Sequence, residues 1–206
     1  MCIRDRNSAI LLSGTPDSID HMTSNATHQP HIILVPGYWL GAWAWDDVVT
    51  ALRERGLDVN AVTLPGLDGQ DSDRTNTTLQ DQADALQALV EQADGDVVLV
   101  GHSGANAAVS IVADRIPQLL RRVIWVDSGP MPDGGAFAPE LPQDVEELPL
   151  PDFDTLGQQA SLEVLSDDQL KTFRARAVPE PAGVARAAVS LTNDRRHDVP
   201  TTLICC

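Results

Sequence analysis

Ser103 sits in the turn Gly101-His102-Ser103-Gly104-Ala105, which joins Val97-Val98-Leu99-Val100 to an Ala/Val/Ile-rich stretch ending at Ile116. The apolar quartet reads as a short strand buried on both faces, as central strands of parallel sheets are. A sharp strand-to-helix turn would lift the serine hydroxyl above the carboxyl edge of such a sheet, where a substrate can reach it. A serine hydroxyl is a weak nucleophile and attacks only with a base within hydrogen-bond reach. His102 is adjacent in an extended segment, so its side chain should point away from the Ser103 hydroxyl. His197 precedes the last strand of the chain, which puts it at the opposite, amino edge of the sheet. The turn has the G-x-S-x-G spacing except at its final position, where Ala105 adds one methyl group that the packing must absorb.

The elements that would hold this turn alternate strand with helix over residues 31–127. His31-Ile32-Ile33-Leu34-Val35 is a β-branched strand stopped by Pro36-Gly37. A helix follows with Trp45, Val48, Val49 and Leu52 on one face, closed by Gly56. Leu57 to Leu64 reads as a second strand ended by Pro65-Gly66, and Leu67 to Asn76 as an acidic loop. Thr77-Thr78-Leu79-Gln80 has the spacing of a capping box, opening a helix with Leu79, Ala83, Leu86 and Val90 on its apolar face. Pro117 stops the helix after Ser103, and Val123-Ile124-Trp125-Val126 forms a further buried strand that ends at Asp127.

Such alternation calls for an α/β fold, a doubly wound, mostly parallel sheet with helices on both faces. Residues 130–152 break the rhythm with six prolines. Helices are expected at about 153–165, 167–178 and 181–191, with Ser166 and Gln169 forming a second capping box. The stretch 130–192 is expected to be a helical cap over the sheet's carboxyl edge. Thr201 to Cys206 starts another strand, and because no helix follows to cover it, a C-terminal truncation is expected. Residues 1–22 are expected to be a disordered leader whose opening Met-Cys-Ile-Arg-Asp-Arg resembles translated adaptor sequence. Residues 23–206 then form one domain.

The chain has 206 residues, enough for a sizeable core, and 14 basic against 30 acidic residues give a formal net charge of −16. That balance argues against nucleic acid and anionic membrane surfaces, both of which require basic patches. No apolar run approaches the ~18 residues of a membrane span. Cys2, Cys205 and Cys206 lie at the two ends, with no disulfide framework and no metal-ligand spacing. Asp68, Asp71 and Asp73 lack the downstream glutamate of a calcium loop, so a solvated loop is expected and no metal site. The expected setting is the cytoplasm, and the expected partner is a small-molecule substrate.

The strand with Pro36-Gly37-Tyr38-Trp39-Leu40-Gly41-Ala42-Trp43, the Leu64-Pro65-Gly66 turn and Gly101-His102-Ser103-Gly104, in this order, resemble the α/β-hydrolase family over nearly all of residues 31–206. The nearer likeness is to small, capped, lipase-like esterases of the methylesterase and hydroxynitrile lyase type. The resemblance implies that Ser103 is the nucleophile of a nucleophile elbow. It also implies that the backbone N–H groups of Tyr38 and Gly104 form an oxyanion hole, although Pro36 stands where histidine is usual. Gly37, Trp39 and His102 would line the substrate pocket, while Trp45 is expected to be helix core. The family order of serine, acid and histidine puts the base after the final strand, beyond residue 206. The acid either follows the strand cut at Cys206 or ends the preceding one, where Asp127 stands. The implied activity needs no cofactor: a serine hydrolase cleaving a small, fairly apolar ester through an acyl-enzyme. A hydroxynitrile lyase-like carbon–carbon lyase and a non-catalytic ligand-binding module on the same scaffold are the alternatives. Serine rather than aspartate at the elbow argues against dehalogenase and epoxide hydrolase chemistry.

Overall fold

The computed structural model describes residues 29–159, 162 and 165–205. The leader expected over residues 1–22 lies outside the described residues. In chain order the strands are β1 (His31–Val35), β2 (Val59–Ala61), β3 (Val97–His102), β4 (Leu120–Val126), β5 (Glu147–Leu148), β6 (Glu180–Pro181) and β7 (Thr201–Ile204). The helices are α1 (Asp46–Arg53), α2 (Leu79–Gln92), α3 (Asn106–Arg115), α4 (Phe153–Gln159), α5 (Asp167–Arg176) and α6 (Ala182–Arg186). Five strands form a parallel sheet in the order β2-β1-β3-β4-β7. The α/β class with a doubly wound sheet is the architecture observed.

Alternation along the central strands divides the interior in two. Ile33, Val35, Val97, Leu99, Val123 and Trp125 join α2 and α3 in the larger core cluster. Leu34 and Val100, with Ile32, Val98, Ile124 and Val126, face the other way onto Trp45, Val49 and Leu52 of the α1 side. Strands buried on both faces need apolar residues at every position, which is why β1 and β3 read as unbroken apolar runs. The edge strand β7 differs: Leu203 and Ile204 are exposed.

Several elements depart from their expected limits. Val48 is exposed, so the α1 face is narrower than expected; a 3-10 turn over Ala42–Trp45 precedes α1 and carries Trp45 in place of an α-helical position. The second strand shrinks from 57–64 to three residues, because only Val59, Asn60 and Ala61 find partners on β1. The first capping box exists one residue later than its expected spacing, with Thr78 as cap and Asp81 as its reciprocal partner. Leu79, Ala83, Leu86 and Val90 are buried as expected, joined by Gln82. The Ser166–Gln169 box is formed. The expected 181–191 helix is only α6, since Ala187 takes an extended conformation (φ −68°, ψ 127°). The expected 153–165 helix is seen to Gln159, and residues 160, 161, 163 and 164 lie outside the described residues.

One pairing had no expectation behind it. β5 and β6, from opposite ends of the 130–192 stretch, pair antiparallel, with Leu148 opposite Glu180. Arg74 braces this pair from the acidic loop: its buried guanidinium donates to Pro179 O (2.9 Å) and Gln70 O (3.1 Å), to Gly69 O, and to Glu147 Oε1 (3.3 Å). Among the described residues no helix is long and apolar enough to cross a membrane.

Candidate active site

Among the described residues, three that are not glycine have positive φ: Trp39 (68°), Ser103 (47°) and Asp127 (49°). They come after the carboxyl ends of β1, β3 and β4, three adjacent strands of the sheet. Side chains avoid this region because Cβ crowds the carbonyl oxygen, and such conformations collect at functional sites. At Ser103 the strained residue sits between the extended His102 and a 3-10 turn (Ser103–Ala105) that runs into α3. The turn leaves Ser103 exposed while the next two residues, Gly104 and Ala105, are buried. The extra methyl of Ala105 is accommodated within the larger core cluster.

The loop after β1 packs directly on this turn. A Cβ on Gly37 would lie 3.0 Å from both His102 Nδ1 and Ser103 Cβ, and one on Gly104 would lie 2.6 Å from the Tyr38 ring. Gly104 therefore relies on glycine for the close approach of the Tyr38 ring, and at Gly37 an added methyl would press on the turn. Gly37, Tyr38, His102, Ser103 and Gly104 are thus brought together. The Tyr38 ring is buried between Gly104 and Phe137, whose ring meets it edge-on at 4.8 Å. Burial raises the Tyr38 phenol above its ordinary range, and the Glu180 charge adds to this.

Among the described residues, no histidine hydrogen-bonds the Ser103 hydroxyl. His102 Nδ1 accepts the Gly37 N–H at 3.3 Å, and its ring meets Trp45 edge-on at 6.1 Å. Burial holds the imidazole below its usual pKa, partly offset by the negative charge of Asp127. With Nδ1 accepting, a neutral His102 carries its proton on Nε2. His31 pairs with Asp58 at 2.7 Å at the start of β1. His197 lies in a 3-10 turn before β7 and lines a cavity of about 360 Å³ with Ser110, Trp125, Met131 and Arg196. Asp127 is exposed at the end of β4, and its N–H donates to Ile204 O at 2.7 Å. A second cavity of about 400 Å³ is walled by Leu150, Phe153 and Arg174. Neither cavity is lined by Ser103.

Trp39, expected only as a pocket residue, is tied down on three sides. Its N–H donates to Glu180 Oε2 (3.2 Å), its indole N–H to Leu148 O (2.9 Å), and its carbonyl accepts from Val178 N–H (3.0 Å). Glu180 is itself fully buried, and its other oxygen accepts from Gln82 Nε2 at 3.2 Å. Burial pushes its carboxyl up to about 7 against the lowering effect of the Trp39 and Gln82 hydrogen bonds and of Arg74. Glu180 was not among the expected site residues. Its only sequence signal is an acid set between two prolines in the apolar run Val178-Pro179-Glu180-Pro181-Ala182.

A parallel sheet carrying a strained, exposed serine between a central strand and a helix, with a Gly-containing loop packed against it, defines a class. The chain matches the alpha/beta hydrolase family over residues 32–206, and it belongs to that family. Its relatives are of the methylesterase type. A putative chloroplastic methylesterase 12 of Arabidopsis thaliana is 33% identical over 116 residues, covering 53% of this chain and 33% of that protein. A carbendazim hydrolyzing esterase of Nocardioides sp. (strain SG-4G) is 34% identical over 113 residues, 53% of this chain and 43% of that protein. The matches to these relatives thus span less than half of their length. Among solved structures, an extracellular alpha/beta-hydrolase from a Paenibacillus species superimposes with a TM-score of 0.71 at 22% identity, over 85% of this chain and 77% of that one.

Proposed function

We propose that the protein is a serine esterase acting on a small, fairly apolar ester. The observation that carries this reading is the exposed Ser103 held at φ 47° at the carboxyl edge of the sheet, beside the Gly37-Tyr38 loop. In this reading Ser103 Oγ attacks the ester carbonyl carbon as a base takes its proton. The N–H groups of Tyr38 and Gly104 then stabilise the tetrahedral oxyanion, a contribution of order 10²–10³ in rate for each such donor. The alcohol leaves with a proton from the same base, and water releases the acyl group from Ser103. Among the described histidines, His31 pairs with Asp58, His102 Nδ1 accepts the Gly37 N–H, and His197 lies in the 3-10 turn before β7. None of them hydrogen-bonds Ser103, and in this reading the base is a histidine that follows the final strand, as the family order has it. Asp127 is the proposed acid, and the 130–192 stretch the cap. The methylesterase and esterase relatives support the choice of an ester as substrate.

Labelling with a fluorophosphonate tests the nucleophile. The full-length protein should be labelled on Ser103 and Ser103→Ala should not; an unlabelled wild type removes the assignment. Turnover of an ester panel without turnover of cyanohydrins would separate the esterase from a carbon–carbon lyase, and labelling itself separates it from a pure binder.

A further inference from the structure

We infer that Glu180 is a positioning residue for the oxyanion loop: its carboxylate holds the Trp39 N–H and so sets the direction of the preceding Tyr38 N–H. This rests on the reading of Tyr38 as an oxyanion donor. The peptide unit joining Tyr38 to Trp39 is planar, so fixing the Trp39 N–H at 3.2 Å from Glu180 Oε2 fixes that whole plane. On the other side of the Tyr38 Cα, the ring is wedged between Gly104 and Phe137. With plane and side chain both held, the Tyr38 Cα and amide nitrogen are fixed in place, and Gly37 on the far side of that amide is itself anchored by its N–H on His102 Nδ1 at 3.3 Å.

The strain at Trp39 explains why such a hold is needed. A tryptophan at φ 68° persists only where its surroundings over-determine it. All three Trp39 hydrogen bonds come from one place, the β5–β6 pair and the residue two positions before it: Leu148, Val178 and Glu180. Glu180 is the one side chain among them, and it reaches three elements at once. It sits on β6, takes the Trp39 N–H of the loop after β1, and takes Gln82 Nε2 of α2, which also donates to Pro65 O at 3.1 Å. The proposed cap is thereby coupled to the geometry of the proposed oxyanion hole. The charged and titratable groups acting on Glu180 are Arg74, whose guanidinium also meets Glu147 at 3.3 Å, and Tyr38. A fully buried carboxyl with no ion-pair partner in contact would be costly to keep as mere filling.

The test separates reach from charge. Glu180→Asp keeps the charge and withdraws the acceptor from the Trp39 N–H; Glu180→Gln keeps an acceptor in place without the charge. In the full-length protein, with p-nitrophenyl acetate as probe, Glu180→Asp should lower kcat by about 10- to 100-fold with KM within about threefold. Glu180→Gln should stay within about threefold of wild-type kcat. A Glu180→Asp variant with wild-type kcat, or a folded Glu180→Gln variant as impaired as Glu180→Asp, overturns the inference. Should Glu180→Asp not fold, Glu180→Leu, which removes the acceptor at similar volume, takes its place: a kcat loss of about tenfold or more beside a near-wild-type Glu180→Gln supports the positioning role, and a folded Glu180→Leu at wild-type kcat overturns it. Fluorophosphonate labelling of the wild type is run alongside. Its absence sinks the site reading and this inference together, whereas labelling with no effect of Glu180→Asp sinks this inference only.

Discussion

A serine at φ 47° carries strain of about 1–3 kcal/mol that glycine would not. That strain accompanies the exposure of Ser103 at the junction of β3 and α3. Replacing the residue separates the backbone from the hydroxyl. Ser103→Gly should be more stable than Ser103→Ala by about 1 kcal/mol in urea unfolding, because only glycine adopts this conformation without a Cβ penalty. Equal stability of the two variants would mean that the turn is relaxed. Ser103 was legible from the sequence because its signal is local, an apolar strand, small residues and a helix within 20 residues. Glu180 was not, because its meaning lies in Trp39 and Gln82, each about 100 residues or more away.

The helices show how element limits are set by local chemistry and then trimmed by packing. At the start of α2, Thr78 Oγ1 accepts from Asp81 N–H at 3.1 Å, and the Asp81 carboxylate accepts in return from Thr78 N–H at 2.8 Å. Thr78→Ala should cost about 1 kcal/mol, measured by thermal or urea unfolding. The hydrogen bonds from Thr78, its hydroxyl first, hold the Asp81 carboxyl below its ordinary range. A depressed carboxyl contributes stability above its unfolded pKa and loses it as pH falls through the folded one. The difference between wild type and Thr78→Ala should therefore narrow in acid. The sequence pointed to a box at Thr77–Gln80, one residue too early, because two threonines in a row offer two registers with an acceptor three residues on. The structure chose Thr78, which turns Leu79, Ala83, Leu86 and Val90 inward together.

At the scale of the whole molecule, the sheet and the 130–192 stretch meet through buried polar groups as well as apolar ones. Arg74 and Glu180 both lie on that boundary, one exposed by 4% and the other by 0%. Burial raises the Glu180 carboxyl from 4.5 to about 7. A carboxyl raised on folding binds its proton more tightly in the folded state. Its contribution is fully present below the unfolded pKa and is lost as pH rises through the folded value. Wild-type stability should therefore fall between pH 5 and 8 by more than that of Glu180→Gln, by up to about 3 kcal/mol in urea unfolding. Parallel pH profiles for the two proteins would show that Glu180 does not titrate in this range.

The amino-acid sequence by itself determined the α/β class, the parallel sheet and the strand-to-helix turn at Ser103, the proposed nucleophile. Those follow from short-range pattern: apolar runs that can only be buried on both faces, turn residues that end them, and capping pairs three residues apart. Tertiary structure alone decided which face of α1 is covered, which residues of the second strand find a partner, and that His102 meets Gly37 and Trp45. It also decided that Trp39 is clamped through Glu180 and that β5 pairs with β6. Each of these depends on contacts between residues far apart in the chain, where no local periodicity reports which polar group will be buried against which.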